Sequence, residues 1–140
     1  MPNQALDHMR KAIKKGQAVQ NDWNILFSHY EKANPDLARE FKDLVVEGRL
    51  PDRWDAALPE FAPDKTLATR EASGQIIQEL AKTLPTFMGG SADLASSTNT
   101  MIKNIPDFSV SNKAGRNIWF GVREHVMGAI GNGMALYGGI

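Results

Sequence analysis

Residues 117–137 read NIWFGVREHVMGAIGNGMALY, and the fold class turns on how this stretch is divided. Ile118, Trp119 and Phe120 form an apolar run of strand-favouring side chains closed by Gly121, which reads as a short buried strand over 117–120. From about Arg123 the period changes. Val126, Ile130, Met134 and Tyr137 fall along one side of a helix, and Gly138-Gly139 stand past its end. A strand that hands over to a helix across a single turn is half of an α/β unit.

Upstream lies the other half. Residues 69–84, TREASGQIIQELAKTL, put Ala72, Ile76, Leu80 and Leu84 on one helical face, and Pro85 stops the helix. The short apolar run Thr86–Met88 reads as a second buried strand ending in Gly89-Gly90, and a long polar stretch rich in Ser, Asn and Lys separates the two strands. Helix, strand, long loop, strand, helix predicts a parallel sheet, and the chain stops just after the second helix, so the expected layer is incomplete.

The first 50 residues read as helices. Leu6, Met9 and Ile13 recur before Gly16, and Trp23, Leu26, Phe27 and Tyr30 make an apolar stripe on a second helix. A third has Asn34 to cap it, Pro35 in its first turn, Gly48 to end it, and Leu37, Phe41, Leu44 and Val45 facing inward. Residues 51–65, PDRWDAALPEFAPDK, carry three prolines among alternating charges and read as linker. The expected organisation is a helical segment over 1–50, a linker over 51–65 and an incomplete parallel α/β domain over 66–140.

Composition excludes more than it names. Lysine plus arginine equals aspartate plus glutamate at 16 each, which removes the charge argument for nucleic acid or an anionic membrane as partner. With no cysteine there are no disulfides or thiolate metal sites. No apolar run has the length of a membrane span, and the polar start MPNQALDHMRKAIKKG is no secretory signal. A soluble, cytoplasmic polypeptide is expected.

Ligands of parallel sheets sit beyond the carboxyl ends of strands, which points to GGSADLASSTN (89–99) and GVREHVMG (121–128). The first is a small-residue loop whose glycines permit close backbone approach and whose Ser91, Ser96 and Ser97 offer hydroxyls without bulk. It lacks the GK[ST] of a phosphate-binding P-loop. In the second, Glu124 occupies a helical first turn, where the dipole stabilises a carboxylate whatever its task. A proton-carrying role needs it buried beside a ligand nitrogen. Arg70 also opens a helix, where free N–H groups and a guanidinium together make an anion site, though from position alone it reads as a solvated arginine offset by Glu71. His8, His29 and His125 have no metal-ligand spacing and read as structural. Gly128, Gly131 and Gly133 fall inside a helix in the wrong order for a dinucleotide fingerprint.

Together the strings ATREASG (68–74), FMGGSADLASSTNT (87–100) and GRNIWFGVREHVMGAIGNGMALYGG (115–139) resemble the opening of the pyrimidine-binding domain of the transketolase family. Residues 1–50 resemble the helical segment that leads out of the family's pyrophosphate-binding domain. One departure is visible: the family has Pro-Ser-Asn where this chain has Ser96-Ser97-Thr98, so a slightly different loop backbone is expected there.

The resemblance implies a transferase that moves a two-carbon ketol unit between sugar phosphates with thiamine diphosphate and Mg2+ (or Ca2+). Glu124 matches the glutamate that hydrogen-bonds the aminopyrimidine and promotes loss of the thiazolium C2 proton. Arg70 and Ser97 match residues that hold the substrate phosphate, and Asp93 and Leu94 match the loop beside the cofactor rings. It also implies a homodimer in which each subunit gives half of an active site. The metal ligands would precede Met1 and further substrate residues would follow Ile140. These 140 residues are accordingly expected to be a fragment, inactive alone and without cofactor of its own. Dihydroxyacetone synthase, another thiamine-diphosphate enzyme, and a non-catalytic interaction module derived from the half-domain stand as alternatives.

Overall fold

The computed structural model describes residues 2–139. The chain divides into two compact units, one ending at Lys42 and the other beginning at Asp43.

In the first unit, α1 (Asn3–Ala33) runs unbroken through Gly16, so the two helices expected there are one. A mid-helix glycine costs only about 1 kcal/mol against alanine, and the Lys, Gln and Ala residues around it are good helix formers. The real break is Asn34, whose φ of −139° leaves the helical region without making a side-chain cap. Pro35 then opens α2 (Pro35–Phe41), with its missing N–H falling where no partner is needed. The apolar stripe of α1 gathers around Phe27, whose ring lies 5.9 Å from Trp23, 6.2 Å from Tyr30 and 5.6 Å from Phe41. Of the expected inward face, Leu37 is exposed and Ala38 is buried in its stead. A methyl group allows the short helix to approach α1 more closely than an isobutyl would. Past Phe41 the helix loosens into a π-helical turn, Lys42–Val46.

The second unit carries the α/β layer. Within residues 51–65, Trp54 is half-buried and its carbonyl accepts a hydrogen bond from Thr83 Oγ1 at 3.1 Å, whereas residues 60–65 are exposed. Helix α3 (Thr69–Thr83) begins with half of a capping box. The Glu71 carboxylate accepts from the Ala68 N–H at 3.3 Å, and Ala68 has no oxygen to return the bond. At its other end the carbonyls left without helical partners are taken by Arg116, whose Nη1 donates to Ala81 O and Leu84 O at 3.0 Å each and to Pro85 O at 3.3 Å.

The first strand begins three residues later than expected. Phe87 N–H closes a turn onto Leu84 O at 3.1 Å, which removes Thr86 and Phe87 from the ladder. Strand β1 is Gly89–Ser91, paired in parallel with β2 (Asn117–Trp119) in the register Gly89↔Asn117, Gly90↔Ile118, Ser91↔Trp119. The pairing is tight at Gly90, where a Cβ would fall 1.7 Å from the carbonyl oxygen of Ile118. On its other side Asn117 bridges to Asp107. A single turn, α4 (Ala95–Thr98), follows β1, and α5 (Glu124–Tyr137) follows β2.

The core of this unit is small and lies under β1 and α4, with Ala81, Ala92, Ala95 and Ile102 buried. No residue of α5 is buried, although Val126, Ile130, Leu136 and Tyr137 are large and apolar. Helices of this length are marginal in water unless an apolar face is covered. Among the described residues no helix is long and apolar enough to cross a membrane.

Candidate functional site

Because β1 and β2 run parallel, their carboxyl ends lie at one edge of the sheet, joined by the Phe120 N–H to Ser91 O bond at 3.3 Å. Everything leaving those ends enters one neighbourhood, beyond the sheet, where ligands of such folds are held.

Two side chains leave β1. Ser91 and Ala92 are buried, and Asp93 then adopts a φ of 75°. The left-handed region is uncommon for a residue with a Cβ but is tolerated by Asp. The reversal throws Leu94 outward, 57% exposed, and lets Ala95 drop back into the core as the first residue of α4. Ser97 is exposed on that one-turn helix, which Asn99 ends with a φ of 57°.

After β2 the chain turns at Gly121, with a φ of 66°. Arg123 braces the turn by donating from Nη1 to Phe120 O at 3.0 Å. This places Glu124 at the first position of α5, at the same sheet edge as Asp93 and Leu94. Glu124 is exposed, so residues 2–139 do not themselves supply the burial that a proton-carrying role requires. Among the described residues none of Arg70, Asp93 and Glu124 takes part in an ion pair. Their charges are free for a ligand.

Arg70 is the second residue of α3 and is exposed. Its expected local partner, Glu71, is instead occupied with the backbone of Ala68. Helix α3 brings Arg70 toward the β1 loop because it packs on α4: a Cβ on Gly74 would lie 2.8 Å from Asn99 Cβ and 3.1 Å from Asn99 O. Along this seam runs an open groove of about 300 Å³, lined by Glu71, Gly74, Gln78, Ser96, Asn99 and Lys103 among others. Arg70 and Ser97 each stand one residue from its lining. Asp93, Leu94 and Glu124 thus stand at the sheet edge, while Arg70 and Ser97 lie on the two helices that flank the groove without lining it themselves.

The supports of these residues were not singled out from sequence. Gln78 donates from Nε2 to Met101 O and accepts at Oε1 from Lys103 N–H, both at 2.9 Å. Asn117, 1% exposed, accepts from Ile102 N–H at 2.8 Å and donates to Ile102 O at 2.9 Å and Ile105 O at 2.8 Å. Gly74, in the middle of a helix whose neighbours favour alanine, was the available signal, since such a glycine commonly marks close approach. Among the described residues no group of three or more His, Asp or Glu stands in a metal-holding arrangement.

Comparison with known proteins finds two family models along the chain. Residues 65–140 match the model described as the transketolase pyrimidine binding domain, and residues 1–51 that of the transketolase thiamine diphosphate binding domain. Transketolase of Halalkalibacterium halodurans is 46% identical over 140 residues, covering 100% of this chain and 21% of that relative. Transketolase-1 of Arabidopsis chloroplasts is 44% identical over 138 residues, covering 98% and 18%. The chain therefore spans about a fifth of the length of the curated relatives it matches. A solved structure of Pichia stipitis transketolase in complex with sedoheptulose 7-phosphate superposes with a TM-score of 0.90 at 36% identity, over 99% of this chain and 21% of that one. Transketolase from Leishmania mexicana gives 0.84 at 42% identity, over 94% and 19%.

Proposed function

This chain belongs to the transketolase family, and we propose that it supplies the pyrimidine side of a thiamine-diphosphate site, together with phosphate-holding residues, to a longer enzyme that transfers two-carbon ketol units between sugar phosphates. The observation that carries the reading is the parallel register of β1 and β2, which delivers Asp93, Leu94 and Glu124 to one sheet edge.

The residues present fit the cofactor's pyrimidine half. Glu124 offers an unpaired carboxylate in the first turn of α5, and Leu94 offers an exposed apolar side chain at the same edge. When bound, thiamine diphosphate supplies the carbon nucleophile that cleaves the ketose. With the cofactor bound, Glu124 would exchange a proton with the aminopyrimidine nitrogen. Closing a second protein surface over this edge excludes water and supplies the apolar burial such a proton needs. That surface is the second subunit of a homodimer. Asp93, turned by its left-handed backbone, and Leu94 orient the cofactor rings. Arg70 and Ser97 bind the phosphate of the sugar and fix its reach, positioning rather than reacting. Diphosphate and Mg2+ are held by residues outside this segment, and the enzyme works in the cytoplasm.

Complexes of relatives with sugar phosphates support the substrate class. The test is Glu124→Gln in the full-length enzyme. It should leave folding and phosphate affinity intact and remove most ketol transfer. Near-normal transfer by the folded variant would overturn the assignment.

A further inference from the structure

We propose that Gly74 and Gln78 are positioning residues that set the spacing between Arg70 and Ser97, and through it the preference for a phosphorylated substrate. The inference rests on the phosphate-binding reading of those two residues.

The geometry is that of one helix face. Arg70, Gly74 and Gln78 recur at intervals of four along α3, so they lie on the same side, one above another. Gly74 is buried, and what covers it is Asn99. Asn99 ends the single turn that carries Ser97, two residues before it. The tightest approach between α3 and the end of α4 is therefore made at Gly74, and its closeness depends on glycine having no side chain. The Cβ of any other residue at 74 would meet Asn99 Cβ at 2.8 Å, too short for two carbons, and would crowd Asn99 O at 3.1 Å. One of the two elements must then shift.

Gln78 makes the same seam by polar means. Its amide takes both the carbonyl of Met101 and the N–H of Lys103, which pins the chain leaving Asn99 onto the next turn of the same face. The steric stop at Gly74 and the clamp at Gln78 fix the approach of α4 to α3 on either side of one helical turn. Neither residue is needed to touch substrate. Because Arg70 and Ser97 sit on opposite sides of the seam, its width is the span that a phosphate must bridge. A change of about 1 Å in such a span is enough to cost one to two decades in productive binding.

The experiment uses the full-length enzyme with two donors, a ketose phosphate and the same ketose without phosphate. Gly74→Ala is expected to raise KM for the phosphorylated donor about ten- to a hundredfold while leaving kcat/KM for the other within about twofold. Adding Asn99→Gly removes the Cβ that the new methyl group meets, at a position whose φ of 57° suits glycine. The double variant should recover the lost discrimination. Gln78→Leu, which keeps the volume and drops both hydrogen bonds, should lose discrimination in the same direction, and it serves where Gly74→Ala does not fold. Equal losses on both donors, or a double variant that recovers nothing, would overturn the inference. Arg70→Ala separates the two layers of argument. If it leaves the ratio between donors unchanged, the phosphate reading itself fails. If it shifts the ratio and the Gly74 and Gln78 variants do not, only the positioning role falls.

Discussion

The side chain of Asn117 is paired with the backbone of Ile102 as another peptide unit would be, accepting its N–H at 2.8 Å and donating to its carbonyl at 2.9 Å. The pair lies in the core, and the same amide also reaches Ile105 O. One strand residue thus ties the long loop between the two strands to the sheet that carries the candidate site.

Replacing Asn117 by Ala should therefore strand three main-chain groups away from water. At roughly 1 kcal/mol for each hydrogen bond, with desolvation added, the loss is about 2–4 kcal/mol. Asn117→Asp should be as harmful, because it turns the donor toward two carbonyls into an acceptor. Denaturant unfolding of the full-length protein checks this, and unchanged midpoints would mean that the loop is held by something else.

The two glycines of β1 should behave in opposite ways. A Cβ at Gly90 meets Ile118 O at 1.7 Å, whereas nothing lies within 4 Å of one at Gly89. Gly90→Ala should separate β1 from β2 and deprive the protein of soluble yield. Gly89→Ala should stay within about 0.5 kcal/mol of the parent, as surface substitutions commonly do. Parallel expression and thermal melts decide it.

Arg70→Ala should weaken phosphorylated substrates and leave the cofactor untouched. A charge-assisted contact contributes about 1.5–3 kcal/mol, or one to two decades in apparent affinity. The readout is KM for a sugar phosphate set against the affinity for thiamine diphosphate. A fall in cofactor affinity with an unmoved KM would make Arg70 a cofactor residue.

The 140 residues on their own should bind neither thiamine diphosphate nor Mg2+ and should transfer no ketol groups. One exposed glutamate and a short loop offer too little to offset the entropy of capturing a ligand. The uncovered apolar residues of α5 and the short open sheet should instead drive self-association. Titration calorimetry with cofactor and Mg2+ tests the first statement and light scattering the second. A saturable signal at low micromolar cofactor would show a more self-sufficient half-site.

The layer was legible because Ile118–Phe120 and Val126–Tyr137 each follow one period without interruption. Gly16 misled because a glycine permits a break without requiring one, and the helix formers around it decided the matter. Thr86–Met88 has the look of a strand, yet the backbone of Phe87 is spent on the turn that Pro85 starts, so pairing waits for Gly89. No local pattern announces that. The positions of Glu124 and Arg70 at helix starts could be read from sequence, since both belong to their own helices. The seam at Gly74 and the bonds of Gln78, Arg116 and Asn117 could not, because each joins segments more than 20 residues apart or depends on a loop's path.

Those three polar side chains share a habit with evolutionary weight. Gln78, Arg116 and Asn117 spend their hydrogen bonds on main-chain carbonyls and N–H groups, not on other side chains. The residues they hold are therefore gripped by a part of themselves that mutation does not alter. Exposed Lys103 can drift to many identities while the loop keeps its path, with proline the one replacement that removes the N–H being held; Ile102 is limited by its core packing and not by the bonds it makes. At its exposed positions the loop is free in its letters and fixed in its course, while the three holders have little room to vary.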